Sequence, residues 1–159
     1  MNTTSFDPNP CAILVVEDSL LVRVRVIEHL ALVLPDAHIE SAETVADAVE
    51  YFASRNGRAF ESSIHIPDVV VLDLELPGCS GLNLLRALKR EYPEVGVVVF
   101  TCLNSEAVRH ACLSLGADYF VNKDEDIASL ETAVNTLVAC RRARTETGAP
   151  QTIAKREQL

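Results

Sequence analysis

The chain contains no hydrophobic run long enough to cross a membrane. None of its apolar stretches approaches the roughly 18 residues that a spanning helix needs. The first ten residues are polar and lack both a positively charged start and an apolar segment, so no secretory signal is predicted. We therefore expect a cytoplasmic protein with no membrane partner.

The five cysteines lack the pairing that disulfide frameworks and zinc sites require. They stand singly, in an odd number and without a C-x-x-C pair, at positions 11, 79, 102, 112 and 140. We expect reduced thiols that are mostly buried. The four histidines are equally scattered, which disfavours a histidine metal site.

Basic residues are also scarce. The chain has 14 lysines and arginines against 23 aspartates and glutamates, and its net charge is −9 at pH 7. Five of the basic residues but only two of the acids follow Cys140, so the rest of the chain is more acidic than the total suggests. An acidic surface repels the phosphate backbone, and we expect no nucleic-acid partner.

Short apolar runs alternate along the chain with segments of helical periodicity. Alternation of this kind predicts an α/β fold in which a five-stranded parallel sheet is covered by helices on both faces. The length of 159 residues suggests one domain, and we assign it to residues 11–144, after a leader (1–10) and before a polar tail (145–159). The predicted strands are 12–17, 37–41, 68–73, 95–101 and 118–121, and the predicted helices are 19–34, 44–55, 82–92, 104–115 and 126–143.

Polar side chains follow four of the predicted strands. Glu17 ends the first and Asp18 follows it, Asp73 ends the third, Thr101 ends the fourth and Lys123 follows the fifth. Ligands of open α/β sheets bind at the carboxyl ends of the strands, so we expect these groups to converge. The alternative is that one acid caps a helix while another is simply exposed.

The acids suggest a cation, because clustered carboxylates are costly without one. Ligation by oxygen alone suits Mg²⁺. With Mg²⁺ bound, Asp73 is a candidate nucleophile toward a phosphoryl group. Lys123 could pair with the phosphoryl oxygens, and Thr101 could donate a hydrogen bond to them.

These residues together resemble the receiver domain of bacterial response regulators. The motifs that match, over about residues 11–142, are Glu17-Asp18, Asp73 with Leu76-Pro77-Gly78 and Gly81, Thr101, and Gly116-Ala117-Asp118 before Lys123. The resemblance implies the flavodoxin-like strand order 2-1-3-4-5. Most relatives have a proline after the lysine, where this chain has Asp124, and a tyrosine is commoner at Phe120.

The family also implies roles for the site residues. Asp73 would accept a phosphoryl group from a histidine kinase or a histidine phosphotransfer protein. Mg²⁺ would be held by Asp18, Asp73 and the main-chain oxygen of Glu75, with Glu17 acting through water. Thr101 and Phe120 would be the switch pair, and Lys123 would contact the phosphoryl group.

Several functions fit this set of residues. We expect a single-domain phosphorylation switch rather than an enzyme, since no output domain fits in residues 145–159, and its output would be an unidentified partner protein. A phosphorelay intermediate or phosphate sink is the alternative. A hydrolase that uses Asp73 with Glu75 as general acid is less favoured because no cap domain is present. A phosphate-independent pseudo-receiver conflicts with the complete set of acids, threonine and lysine.

Two helices are candidate partner surfaces. In the first, the predicted inner face is formed by Leu20, Val24, Ile27, Ala31 and Leu34. Val22 and Val26 lie on a second apolar stripe, which predicts a docking surface for the phosphodonor. In the fourth, Leu113 lies opposite the predicted inner stripe, so it is a candidate for output binding or for a homodimer.

Overall fold

The computed structural model describes residues 10–56 and 66–146, in which five strands alternate with five helices. The strands form one parallel sheet in the order β2-β1-β3-β4-β5, so the predicted fold and strand order are confirmed. The elements are β1 (Ala12–Val16), α1 (Leu20–Val33), β2 (His38–Ala42), α2 (Val45–Arg55), β3 (Val69–Leu72), α3 (Gly81–Glu91), β4 (Gly96–Thr101), α4 (Glu106–Ser114), β5 (Tyr119–Asn122) and α5 (Ile127–Glu146).

The two faces of the sheet are covered by separate hydrophobic clusters. On one face the strands pack against α1 and α5, and on the other against α2, α3 and α4. Every residue of β1, β3 and β4 is buried, as expected for apolar strands covered on both sides. No helix in the described ranges is long and apolar enough to span a bilayer. The predicted leader and tail lie almost wholly outside the described residues, although α5 continues to Glu146.

Side chains at the helix ends explain where α2 and α4 begin. Thr44 and Asp47 form a reciprocal capping box, in which the Thr44 side chain accepts from the Asp47 N–H and Asp47 accepts from the Thr44 N–H. The Ser105 hydroxyl accepts from the Val108 N–H at 3.2 Å and starts α4.

The predicted inner face of α1 is wrong at Leu20, Val24 and Ala31, which are exposed, whereas Ile27 and Leu34 are half-buried against the core. The residues that the helix buries fully are Arg23, Val26 and Leu30. Apolar residues occur on nearly every side of this helix, so apolar spacing does not choose its orientation. The choice is made by Arg23, whose Nη1 donates to the Glu17 carbonyl at 2.7 Å and therefore points toward the sheet.

The observed orientation of α1 corrects the predicted docking surface. Val26 is 2% exposed and belongs to the core, so it cannot contact a partner. Val22 is half-buried and packs against the same cluster. Leu113 on α4 is exposed, as a partner-binding residue must be.

Candidate functional site

The pairing of β1 with β3 brings the acids together. Val16 is the register partner of Leu72, and the Asp73 N–H donates to the Val16 carbonyl at 3.0 Å. Glu17 and Asp73 therefore leave neighbouring strands at the same edge of the sheet. Carboxylate oxygens of Glu17, Asp18 and Asp73 lie within 4.8 Å of one another, as the sequence predicts. Glu17 and Asp73 are buried, whereas Asp18 is exposed.

Lys123 reaches these acids across the top of β4. Its N–H donates to the Thr101 carbonyl at 2.9 Å, which anchors its backbone beside the end of β4. Its ammonium lies 2.7 Å from Asp73 Oδ2 and 2.6 Å from Glu17 Oε2. The lysine thus bridges two buried carboxylates, and this geometry accounts for how two adjacent anions are accommodated.

Burial and ion pairing shift the pKa values of Glu17 and Lys123. Burial raises the pKa of Glu17, although the ion pair with Lys123 opposes the rise. Burial alone would lower the pKa of Lys123, but its hydrogen bonds to Asp73 and Glu17 outweigh that effect and raise it. The ammonium is therefore charged at neutral pH and available to anionic oxygens.

Thr101 and Phe120 stand on the two strands beyond β3. Thr101 ends β4, is fully buried, and its hydroxyl accepts from the Leu103 N–H at 3.3 Å. Phe120 lies on β5, is buried, and belongs to the cluster on the α4 side of the sheet. The guanidinium carbon of Arg109, from α4, lies 5.4 Å from the centre of the Phe120 ring.

The loop after β3 needs glycine where α3 begins. A Cβ atom at Gly81 would lie 2.5 Å from the Asp73 carbonyl oxygen and 2.6 Å from the Leu74 Cα. Both contacts are with backbone atoms, so a side chain at position 81 would displace the segment that carries Asp73. In the same loop, the Glu75 N–H donates to Asp73 Oδ1 at 3.2 Å.

Two buried polar residues that support the site were not predicted from the sequence. Arg23 contacts the carbonyls of Glu17 and Asp18, at 2.7 and 3.3 Å, and thereby holds the loop that carries both acids. The Nη2 atom of Arg23 pairs with Glu43 Oε1 at 2.5 Å. An arginine within an apolar helix five residues after an acid pair is the signal that could have indicated this role.

Asn122 is the second of these residues. It is 2% exposed, and its Oδ1 accepts from the Asp124 N–H at 2.9 Å. This bond spans Lys123, and the Glu125 N–H closes the same turn by donating to the Asn122 carbonyl at 3.0 Å. All peptide bonds in the described part of the chain are trans, including the bond between Lys123 and Asp124.

Comparison with known proteins decides the family. The model of the response regulator receiver domain matches residues 13–135. The chain belongs to the response regulator receiver family. Receiver domains are signalling modules of two-component systems that accept phosphate, bind Mg²⁺ at an acidic pocket and interact with histidine kinases and output domains.

The curated relatives are larger proteins. The regulator SphR of alkaline phosphatase synthesis in Synechococcus elongatus is 36% identical, over 70% of this chain and 42% of its own length. The transcriptional regulator PhoP of Escherichia coli is 30% identical, over 79% of this chain and 51% of its own length. The chain thus spans about half or less of the length of these relatives.

Solved structures agree on the fold. The BeF3-activated receiver domain of DrrB is 25% identical, with a TM-score of 0.68 over 82% of this chain and 99% of that one. A CheY-like receiver domain protein from Methanospirillum hungatei is 19% identical, with a TM-score of 0.69 over 85% and 99%. The second similarity, at this identity, shows the fold alone.

The residues present fit a magnesium ion. The three grouped side chains offer only carboxylate oxygens, which Mg²⁺ prefers, and the exposed Asp18 leaves one side of the group open to water and to phosphate oxygens. No histidine or cysteine belongs to the group, so softer metals have no matching ligand within it.

Proposed function

We propose that this chain is a phosphorylation switch in which Asp73 accepts a phosphoryl group from a phosphohistidine donor protein. The observation that carries the proposal is the Lys123 ammonium, 2.7 Å from Asp73 and 2.6 Å from Glu17, beside a group of three carboxylates. Asp73 is buried at the sheet edge, where it contacts a cation that can also bind phosphoryl oxygens.

The transfer follows from the chemistry of these groups. An Asp73 carboxylate oxygen attacks the phosphorus of phosphohistidine, the P–N bond breaks, and its electron pair stays on the imidazole nitrogen. The product is an aspartyl phosphate, and later attack by water on phosphorus returns the carboxylate and inorganic phosphate. Lys123 keeps its place and exchanges the carboxylate oxygen for a phosphoryl oxygen as partner.

The magnesium ligands are part of the same proposal. Asp18 and Asp73 would hold the ion directly together with the main-chain oxygen of Glu75, and Glu17 would act through water. When bound, Mg²⁺ supplies positive charge that neutralises the transferring phosphoryl oxygens. Arg23 positions the loop of Glu17 and Asp18 because it contacts both of their carbonyls.

Thr101 and Phe120 would transmit the modification. The buried Thr101 hydroxyl accepts from Leu103 in this state, and it would turn to donate to the phosphoryl group. The space that it leaves would let the Phe120 ring move further inward. Phe120 has no hydroxyl, so the switch would act by packing alone and would be sensed by Arg109 of α4.

Donor and output surfaces are proposed on different helices. The start of α1 follows the acids directly and exposes Leu20 and Val24, so we assign donor docking to these residues with the half-buried Val22 at their edge. Output binding is assigned to α4, where Leu113 is 45% exposed. Because we propose a phosphohistidine donor protein, we also propose that the chain acts in the cytoplasm. We propose no enzymatic activity beyond gain and loss of the phosphoryl group.

The proposal is tested by transfer from a panel of phosphorylated histidine kinases and phosphotransfer proteins at short reaction times. One donor should label the wild-type chain far faster than the others, and Asp73→Asn should remain unlabelled. Leu20→Asp should slow transfer from that donor while labelling by acetyl phosphate stays near normal. If no donor labels the chain, or if Asp73→Asn is labelled at the wild-type rate, the proposal is wrong.

A further inference from the structure

The side of α1 that faces away from the sheet carries four residues in a line: Leu21, Arg25, Glu28 and Leu32. Their spacings of four, three and four residues repeat every 3.5 residues, the period of a helix-pairing seam. All four are exposed, and the two leucines are each 81% exposed. With 3.6 residues per turn, this line lies opposite the buried side chains of α1. We call these four residues the α1 seam.

The chemistry of the seam is symmetric about its middle. A leucine stands at each end, and a base and an acid stand between them, centred between Val26 and Ile27. If a second α1 runs antiparallel against the first, each Leu21 meets a Leu32 and each Arg25 meets a Glu28. A contact around a twofold axis requires this self-complementarity, whereas a parallel pair would set Arg25 against Arg25.

We propose that α1 is a self-association surface, on which a second copy of this chain docks antiparallel along the α1 seam. Burial of Leu21 and Leu32 of both copies removes exposed apolar surface from water. The two ion pairs between Arg25 and Glu28 of opposite copies fix the direction and register of the helices. The 14 residues of α1 make a contact about 21 Å long, which is small for a protein interface. The dimer is therefore weak and depends on concentration.

This contact has a consequence for signalling. Leu21 adjoins Leu20 and Val24, which the proposed function assigns to the phosphodonor, so donor and second copy exclude one another. The self-association itself does not depend on that function, because it rests on exposure and charge order within α1. A failure of phosphotransfer would leave it untouched.

The experiment is sedimentation velocity of the full, unphosphorylated chain over a wide concentration range. The wild type should associate as concentration rises, and Arg25→Glu and Glu28→Arg should each weaken association about tenfold, which corresponds to ~1.4 kcal/mol. A mixture of the two variants should associate at least as well as wild type, because one copy then presents two acids and the other two bases. The double variant Arg25→Glu/Glu28→Arg should also associate like the wild type, because its charges are exchanged but still complementary. The matched control is Arg86→Glu, which makes the same charge change at an exposed position on α3.

The mixture separates this proposal from its alternatives. If Arg25 and Glu28 acted only by pairing with each other within one helix, mixing the two variants would not restore association. A wild type that stays monomeric at all concentrations overturns the proposal. So does a mixture that associates no better than either variant alone, or an association lost in Leu113→Asp and intact in both α1 variants, which would assign it to α4.

Discussion

Replacement of Lys123 by methionine should destabilise the metal-free protein and make it far more responsive to Mg²⁺. Methionine keeps the length and apolar stem of the side chain but removes the ammonium that lies between Glu17 and Asp73. Both carboxylates are 3% exposed and would then face each other without a cation.

The magnitude follows from two contacts of 2.6 and 2.7 Å. At an effective dielectric constant of about 20, each is worth roughly 6 kcal/mol of attraction. Desolvation of three charged groups offsets most of that gain, and loss of one partner from a buried ion pair typically costs about 3–5 kcal/mol. The site lies at the edge of the sheet, so we expect about 3 kcal/mol.

Urea unfolding with and without MgCl₂ measures both effects. Bound Mg²⁺ supplies the missing positive charge, so it should stabilise Lys123→Met more than wild type. The matched control is Lys89→Met, which removes a 2.7 Å pair with Asp118 between α3 and the start of β5. That variant should lose stability and gain nothing extra from Mg²⁺. Equal stability of Lys123→Met and wild type without metal, or an equal Mg²⁺ effect in both, would refute the reasoning.

Three further predictions concern the same edge of the sheet. Asp18→Asn should weaken Mg²⁺ binding by tenfold or more, about 1.4 kcal/mol, with little change in metal-free stability because Asp18 is exposed, as titration calorimetry can show. Because burial raises the pKa of Glu17 above its ordinary 4.5, the stability that its protonated form contributes is lost as pH rises through the raised value. In urea unfolding without metal, the free energy of unfolding of Glu17→Gln should therefore depend less on pH above 4.5 than that of the wild type. The same pH dependence in both proteins would contradict the assignment of this effect to Glu17. Gly81→Ala should cost about 1–3 kcal/mol and slow labelling by acetyl phosphate, because its Cβ would collide with the Asp73 carbonyl, and wild-type rates would exclude that collision.

Much of the fold could be predicted because the central strands consist almost wholly of apolar residues. Runs such as Val69–Leu72, which is rich in valine and followed by a turn signal, indicate a buried strand, and the polar residue after each run marks the strand end that carries the site. The strand order was implied by the family resemblance, since alternation alone leaves several orders open. The grouping of Glu17, Asp18 and Asp73 then follows from neighbouring parallel strands.

The orientation of α1 could not be predicted from apolar spacing. Its apolar residues surround the helix, and the side chain that selects the buried face is Arg23, a residue type expected in water. The arginine is buried because the carbonyls of Glu17 and Asp18 and the carboxylate of Glu43 satisfy it. Those partners come from two separate loops, and their meeting is a property of the folded chain. Apolar spacing alone therefore predicts Val26 at the surface, although it lies in the core.

The turn after Lys123 shows the same limit. Where Asp124 replaces proline, the sequence does not reveal which group satisfies the additional N–H, so it does not predict the shape of that loop. The structure supplies it from Asn122, whose Oδ1 accepts that bond at 2.9 Å. A buried asparagine at the end of a strand is informative only once its partner two residues later is known.

The central claim is that the phosphoryl group is carried by Asp73, and chemical trapping tests it most directly. The chain is labelled with acetyl phosphate and Mg²⁺, then reduced with borohydride, which converts an acyl phosphate to an alcohol, and the modified peptide is located by mass spectrometry. We expect homoserine at position 73 and at no other acid, with none in Asp73→Asn. Reduction at Asp18 or Glu75, or an unmodified position 73 in protein that has taken up phosphate, would contradict the account.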